Sequence, residues 1–461
     1  MNQSQLTATM SEESATSGSA ERWRVLSELF AFLDREMVEY CVVGDDEKMV
    51  AGADGDVDLV VTSNALKSMP RLLLRFAITH DARLMQSIRH EPTAYFFVLA
   101  WRDAGGALHL MQLDTCSDYY RFGRKLIPYD EILRGREFVT ADDGTDYFIA
   151  GSTAAFLYYM LKKVEKQQLD RHHAEVLSRL FRRAPDAIRP ALAKYWKSEV
   201  VDLICAAGES GDWSIVSAKI ADLRAELHSR IPRSLGARIS EVRRLIGRIL
   251  MPTGFFIAVF GPDGSGKSTV NEHIRKSLDL AFWGNEYIHL RPRIGVTLDE
   301  SSRMPTLDPH GKKPRGWLSS VSKLLYYTFD YIAGYLFTVK PLLIRSKLVV
   351  FDRYFHDLIV DPRRYRYGGP AFLPALLARF IPKPDVFLFL DAPADVIQSR
   401  KTEVTYEETV RQREAYKLLA HRLKSFRIVD ASGELDSTLA EAEWVIVDRM
   451  ADRVEKRFWL R

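Results

Sequence analysis

Phe256-Ile257-Ala258-Val259-Phe260, followed without a break by Gly261-Pro262-Asp263-Gly264-Ser265-Gly266-Lys267-Ser268-Thr269, decides the fold of the C-terminal half of this chain. The apolar run reads as a strand buried on both faces. The segment after it matches G-x-x-x-x-G-K-[ST], and Ser268–Leu278 continues with helical spacing, so the pattern sits between a strand and a helix as a phosphate-binding loop requires. Glycines let the backbone wrap closely round phosphate oxygens with successive N–H groups pointing inward. The helix N-terminus adds its partial positive charge. In such a loop Lys267 reaches the β- and γ-phosphates of ATP and Ser268 offers its hydroxyl to Mg2+. Gly261, Asp263, Gly264, Ser265, Gly266 and Thr269 complete the ATP-binding segment.

Downstream, helical and strand-like segments alternate: helix Leu318–Phe337, strand Leu348–Phe351, helix Phe372–Phe380, strand Val386–Leu390 and helix Thr405–Leu423. That alternation predicts an α/β unit, a parallel sheet flanked by helices. Leu324–Val339 is the most membrane-like segment. It is shorter than the roughly 20 residues of a span and contains Asp330, which predicts a buried or surface-lying helix and no integral membrane segment.

Four further features carry a family resemblance. Asp263 stands two residues before Ser265. Leu348–Phe351 runs into Asp352-Arg353-Tyr354. Pro382-Lys383-Pro384-Asp385 precedes the strand that ends at Asp391-Ala392-Pro393. Arg400 and Lys401 are followed by Arg411, Arg413 and Tyr416 on a helix. Over roughly residues 254–450 the sequence resembles the thymidylate kinase family. The resemblance implies that Asp352 holds magnesium or its waters. It implies that Arg353, with Arg291 and Tyr354, binds the acceptor phosphate, and that Arg400 and Lys401 form a lid over the transferring group. Lys267, Asp352, Arg353 and Arg400 are then the catalytic set, because phosphoryl transfer depends on neutralising charge.

The sequence also departs from that family. After Tyr354 it reads Phe355-His356-Asp357-Leu358-Ile359-Val360-Asp361-Pro362-Arg363-Arg364-Tyr365-Arg366, without the polar stretch that reads thymine. Arg363, Arg364 and Arg366 suit an anionic acceptor, or equally a salt-bridged loop. A Pro/Gly/Lys-rich excursion, Gly295–Gly316, is absent from compact members. The resemblance is nearest to thymidylate kinase-like proteins of bacterial polysaccharide biosynthesis, so the acceptor is either a nucleoside monophosphate, dTMP or related, or a sugar or lipid-linked intermediate.

Upstream, strand-like Tyr40–Val43 runs into Gly44-Asp45, and Asp56-Val57-Asp58 opens the strand-like Val57–Val61. Asp114 closes Leu108–Leu113, and Tyr95–Trp101 is a further strand-like run. Alternation puts Asp56 and Asp58 on one face of a strand, where they can share a metal with Asp114. This resembles a minimal nucleotidyltransferase, with Asp45 in place of the usual serine. The fold expected is therefore an N-terminal α+β nucleotidyltransferase-like domain over 21–150 and a helical region and linker over 151–250. The kinase domain follows over 251–461, entered at Pro252-Thr253-Gly254. Lys162, Lys163 and Lys166 are expected to face the acidic cleft. Residues 1–20, Ser/Thr/Glu-rich without an apolar core, predict a disordered tail and no secretory signal.

Leu235–Leu250 predicts a basic amphipathic helix, either a linker with a solvated basic face or a peripheral membrane contact. Lys+Arg at 65 against Asp+Glu at 61 leaves +4, too little to argue for nucleic acid. Cys41, Cys116 and Cys205 lack metal-ligand spacing and read as reduced thiols of a cytoplasmic protein. A homodimer is compatible with this composition. Three functions follow: an ATP- and Mg2+-dependent kinase, a bifunctional nucleotidyltransferase-kinase, and an ATP-switched regulator without catalysis.

Overall fold

The computed structural model describes residues 3–44, 49–50, 55–233, 235–292, 313–401 and 404–459. Asp45 and most of the Gly295–Gly316 excursion lie outside the described residues. The chain forms two compact units: residues 1–105, 109–246 and 454–461 make the first, and 106–108 with 247–453 make the second.

In the first unit, helix Gln3–Arg35 leads into β1 (Tyr40–Val43) and β2 (Val57–Val61). After helix Ser63–Thr79 come β3 (Arg83–Glu91), β4 (Ala94–Arg102) and β5 (Leu108–Cys116). A small hairpin, β6 (Tyr119–Arg121) and β7 (Arg124–Ile127), precedes β8 (Glu137–Thr140) and β9 (Asp146–Ile149). The main sheet has the order β3-β4-β5-β2-β1-β9-β8. β1 and β2 are antiparallel, whereas β2 and β5 run parallel with Asp58 directly beside Asp114.

The two faces of this sheet follow the period of two. Tyr40, Val42, Leu59 and Val61 enter one core, with Leu29 and Phe30 of the first helix and Leu73 and Phe76 of the second. Cys41, Val43, Val60 and Cys116 enter the other, with Phe156 and Leu161 of helix Ser152–Lys166 and the helices that follow. Asp56 and Asp58 share the parity of Val60 and so open toward that helical layer. The same core as Leu29 and Phe30 also takes in Val454, with Phe458 packed against it. All three cysteines are free and buried.

Two expectations are corrected here. The first helix begins at Gln3 and takes in most of the stretch expected as a disordered tail. That stretch has no proline, and its one glycine is Gly18. Little therefore breaks a helix propagating back from the packed turns at Val25 and Leu26. Helix Leu235–Leu250 forms as expected, but its basic residues are not all solvated: Arg243 is exposed, whereas Arg244 and Arg248 are half-buried. Arg244 bonds Glu241 and the Arg89 carbonyl, and Arg248 bonds Ser346 and lies over Trp283, while Ile239, Val242, Leu245 and Ile249 are exposed.

The second unit is built on five parallel strands: β10 (Phe255–Phe260), β11 (Asn285–His289), β12 (Leu348–Asp352), β13 (Val386–Asp391) and β14 (Phe426–Asp430). Their order is β11-β12-β10-β13-β14. β10, the strand quoted first above, is buried throughout at the centre. Phe256, Phe260, Phe351, Phe387 and Phe389 make the core that joins the strands to helices Trp317–Gly334 and Tyr406–Arg422. The edge strands β11 and β14 were not marked in the sequence because they are only partly buried and lack a long apolar run. No helix among the described residues is long and apolar enough to cross a membrane. In a parallel sheet, ligands bind beyond the carboxyl ends of the strands. There the loop after β10, Asp352 of β12 and Asp391 of β13 come together.

Candidate functional site

The loop 261–266 turns sharply enough to exclude side chains. A methyl added at Gly261 would lie 2.3 Å from Ser265 Oγ, and one at Gly264 would lie 2.9 Å from the Ile397 carbonyl oxygen and 3.2 Å from Lys401 Cβ. Helix Lys267–Ser277 starts at once, with Gly266 in the left-handed conformation. Ser268 and Thr269 are exposed in its first turn. Lys267 folds back over the loop, its Nζ donating to the carbonyls of Gly261 at 2.9 Å and Pro262 at 2.8 Å, with Asp263 Oδ1 at 3.5 Å. Burial, and then the charge of Arg353, hold its ammonium down at about 8.

Asp352 sits where β12 ends, in register with Val259 of β10. Its Oδ2 accepts from Tyr287 at 3.0 Å and lies 3.4 Å from His289 Nδ1. Burial raises its carboxyl, but the His289 hydrogen bond and the charges of Lys267 and Arg353 outweigh that and hold it below the usual range. Oδ1 is buried and accepts no hydrogen bond among the described residues, which leaves lone pairs for a metal or its water. With the exposed Ser268 hydroxyl, the donor set fits magnesium.

Arg353 follows with φ of 66°, a left-handed conformation rarely taken by a side-chain-bearing residue. Its N–H is fixed to the Val259 carbonyl at 3.0 Å. Its guanidinium bridges Asp357 (3.1 Å to both oxygens) and Asp263 Oδ1 (2.5 Å). Arg364 reaches the other oxygen of Asp263 and pairs with Asp361 at 3.3 Å. Tyr365 and Tyr416 donate to Asp357, and Gln412 donates to Asp361. Arg364 therefore joins the site, whereas Arg363 is exposed and Arg366 bonds the Lys313 carbonyl. The sequence had singled out all three, and only chain folding selects Arg364.

In the first unit Asp56, Asp58 and Asp114 each bring a carboxylate oxygen within 4.8 Å of the others. Lys162 Nζ lies 2.5 Å from Asp58 Oδ2, and Tyr158 OH lies 3.4 Å from Oδ1. His90 Nε2 lies 3.4 Å from Asp114 Oδ1. Burial, opposed by Lys162 and reinforced by the neighbouring carboxylates, pushes Asp58 and Asp114 up to about 6. Of the three lysines expected at this cleft, Lys162 makes the contact. Lys163 turns over the Tyr159 ring at 4.8 Å. His90 and Tyr158 carried no sequence signal, because neither lies near the acidic pattern in the chain.

The family model described as thymidylate kinase matches residues 259–435. The thymidylate kinase of Xanthomonas euvesicatoria pv. vesicatoria (strain 85-10) is 32% identical over 220 residues, covering 44% of this chain and 88% of that protein. The chain belongs to the thymidylate kinase family. The thymidylate kinase of Xanthomonas campestris pv. campestris (strain B100) is also 32% identical, over 223 residues, with the same shares covered. A crystal structure of thymidylate kinase from Ehrlichia chaffeensis matches at 22% identity and a TM-score of 0.31, covering 42% of this chain and 97% of that one. Membership makes the second unit a nucleotide kinase-type phosphotransferase.

Within this thymidylate kinase-like unit, three residues expected at the acceptor or the lid have other partners. Tyr354 is in the core, its ring edge-on to Phe256 and Phe351 and its hydroxyl donating to the Pro382 carbonyl at 2.7 Å. Arg291 is paired with Asp330 at 3.1 Å and lies 4.4 Å from the Tyr327 ring. Arg400 ends helix Ala394–Arg400 and donates to the Ala431 carbonyl at 2.9 Å, because the chain leaving β14 presents an acceptor there. Its neighbour Lys401, expected with it in a lid, adjoins the loop at Gly264.

Proposed function

We propose that the second unit transfers the γ-phosphoryl group of ATP to the phosphate of a nucleoside monophosphate, dTMP or a related one. The observation that supports this reading most is the meeting of Lys267, Arg353 and Arg364 at Asp263. Three cations at the mouth of a phosphate loop are suited to the spread negative charge of phosphoryl transfer. Ser268 and Asp352 would hold Mg2+, which neutralises the β- and γ-phosphates when bound. Lys267 leaves its loop carbonyls for the donor phosphates. Arg353 exchanges the Asp263 carboxylate for the acceptor phosphate while Asp357 keeps its guanidinium oriented. Lys401 closes over the loop. The test is a discontinuous assay of the full chain with labelled ATP and Mg2+ against dTMP, dUMP, UMP, CMP, AMP and sugar acceptors. A labelled product with any monophosphate supports the reading; label transferred only to sugars, or to nothing, removes it.

A second reading is favoured by the acidic cluster: the first unit transfers nucleotidyl groups, with Asp56, Asp58 and Asp114 as ligands of divalent metal. Pyrophosphate release from ATP by the full chain tests it. We also propose a cytoplasmic protein working without nucleic acid, as a homodimer. The uncharged, exposed stripe Leu318, Leu325, Phe329 and Leu336 is the surface offered for that.

A further inference from the structure

The edge strand β11 and its neighbour β12 end together. His289 is in register with Asp352 across the parallel ladder, and Tyr287 with Val350. Residues two apart on a strand share a face, as do residues in register on neighbouring strands, so Tyr287, His289 and Asp352 stand on one side of the sheet. Both strands then stop in the left-handed conformation, Leu290 at φ of 64° and Arg353 at 66°. The Leu290 N–H donates to the Asp352 carbonyl at 3.0 Å, and the Tyr331 hydroxyl donates to the Leu290 carbonyl. The edge strand is thus fixed to the one that carries Asp352 up to its last residue.

Two side chains of that edge reach one carboxylate oxygen. Tyr287 OH donates to Asp352 Oδ2 at 3.0 Å, and His289 Nδ1 lies 3.4 Å from the same atom. The Tyr287 ring is backed by Arg275 of helix Lys267–Ser277, whose guanidinium lies 5.7 Å from the ring centroid and whose Nε donates to Asn285 Oδ1 at 2.8 Å. Asp352 is buried, and buried polar atoms that serve only the fold are hydrogen-bonded. Here the donors gather on Oδ2, and Oδ1 accepts no hydrogen bond among the described residues. The charges of Lys267 and Arg353 pull on the same carboxylate. Donors fixed on Oδ2 hold its plane against that pull.

We propose that Tyr287 and His289 are positioning residues for phosphoryl transfer: by occupying Oδ2 they hold Asp352 with Oδ1 open for the divalent cation or its water. The inference rests on the reading of Asp352 as the cation's carboxylate in a kinase. Partners of this kind on a ligating carboxylate change metal affinity by about 10–100-fold. Tyr287 and Asp352 lie 65 residues apart in the chain, so only the sheet brings them together.

The test is a titration of the full chain with Mn2+ in the presence of a saturating non-hydrolysable ATP analogue, with free and bound ion read by electron paramagnetic resonance. Every sample carries Asp58→Asn and Asp114→Asn, so that the acidic trio of the first unit does not contribute. Against that background Asp352→Asn and Tyr287→Phe should each weaken Mn2+ binding by at least about tenfold, and His289→Ala by less, since its contact is longer and its ring exposed. Tyr287→Phe removes one hydroxyl and keeps the ring, and thermal melts verify that each variant is folded. Added to Asp352→Asn, Tyr287→Phe should cost nothing further, because both act through one carboxylate. The Mg2+ concentration giving half-maximal turnover should rise in Tyr287→Phe by the same factor as the Mn2+ loss, with kcat at saturating Mg2+ changed far less. Full Mn2+ affinity in Tyr287→Phe beside weakened binding in Asp352→Asn overturns the inference and leaves the kinase reading standing. Full affinity in His289→Ala removes that residue from it. An equal loss from Tyr287→Phe with and without Asp352→Asn also overturns it, since the hydroxyl would then act on the fold and not through Asp352. Full affinity in Asp352→Asn removes the reading of Asp352 as the cation's carboxylate, and the inference falls with it.

Discussion

At the phosphate loop Lys267, Arg353 and Arg364 gather round the carboxylate of Asp263, whereas on the sheet of the first unit Asp56, Asp58 and Asp114 gather round the ammonium of Lys162. One arrangement is the charge inverse of the other. In each, an internal side chain carries the sign of the ligand the site is proposed to take: a carboxylate where phosphate would bind, an ammonium where a divalent cation would bind. Such pairing keeps the remaining groups oriented, since an uncompensated charge in a buried place would shift its ionisation or turn away. The ligand must then displace the internal group, which lowers affinity and raises selectivity for ligands of higher charge.

The largest effect expected is on the phosphate side. Lys267→Ala should lower kcat for phosphoryl transfer by about 10²–10³-fold, the scale of losing one preorganised charge-stabilising group, with an unchanged circular dichroism spectrum. Wild-type turnover in that variant would leave the comparison with one active half. On the carboxylate side, Asp58→Asn combined with Asp114→Asn should weaken Mn2+ binding by about 100-fold, read by titration of the full chain, and leave phosphoryl transfer unchanged. Equal Mn2+ affinity in variant and wild type would reduce the trio to an ion-paired cluster with no part in metal binding.

Glycine substitutions sharpen the contrast. Gly264 and Gly44 both have positive φ, so alanine at either carries about 1–2 kcal/mol of backbone strain. At Gly264 the methyl also meets the Ile397 carbonyl at 2.9 Å, whereas at Gly44 the nearest atom is Asp58 Oδ2 at an ordinary 3.6 Å. Gly264→Ala should therefore show the greater loss of thermal stability, and the reverse order would mean that Ile397 yields easily. The smallest effect expected is base discrimination. Recognition of a base edge needs buried hydrogen-bond partners, and the segment after Tyr354 directs Asp357 and Asp361 to Arg353 and Arg364 instead. dTMP should exceed dUMP, UMP, CMP and AMP in kcat/KM by less than about tenfold. A preference of several orders of magnitude would show a thymine-reading site built from other residues.

What the sequence made legible was local. Strand, loop and helix around Lys267 are contiguous, so composition alone sets them, and β1 and β2 fall where the apolar runs Tyr40–Val43 and Val57–Val61 lie. The acidic trio was also legible, because the parity of Asp56 and Asp58 on β2 survives any tertiary arrangement and only the pairing with β5 had to be supplied. The rest depends on contacts distant in sequence. Nothing near Arg364 says that it will cross to Asp263 while Arg363 stays in solvent. Tyr354 follows Asp352 and Arg353, both at the loop, yet its side chain turns into the core and its hydroxyl donates to the Pro382 carbonyl. Helix Leu235–Leu250 has a clear amphipathic period, but periodicity cannot say which residues find partners: Arg244 and Arg248 do, while Arg243 and the apolar Ile239, Val242, Leu245 and Ile249 are exposed.

Val454 and Phe458, the late residues that pack with Leu29 and Phe30, make the first unit discontinuous along the chain. The main chain reinforces this, since Arg71 Nε donates to the Phe458 carbonyl at 3.4 Å. Synthesis proceeds from the N-terminus, and units complete in one stretch of sequence fold as they emerge. The first unit is denied that order: its sheet and helices leave the ribosome early, but the apolar surface that Val454 covers stays open until the other unit has been made. A nascent chain thus carries an unfinished core through the whole synthesis of its kinase half, and a fragment stopped near residue 250 keeps that defect permanently.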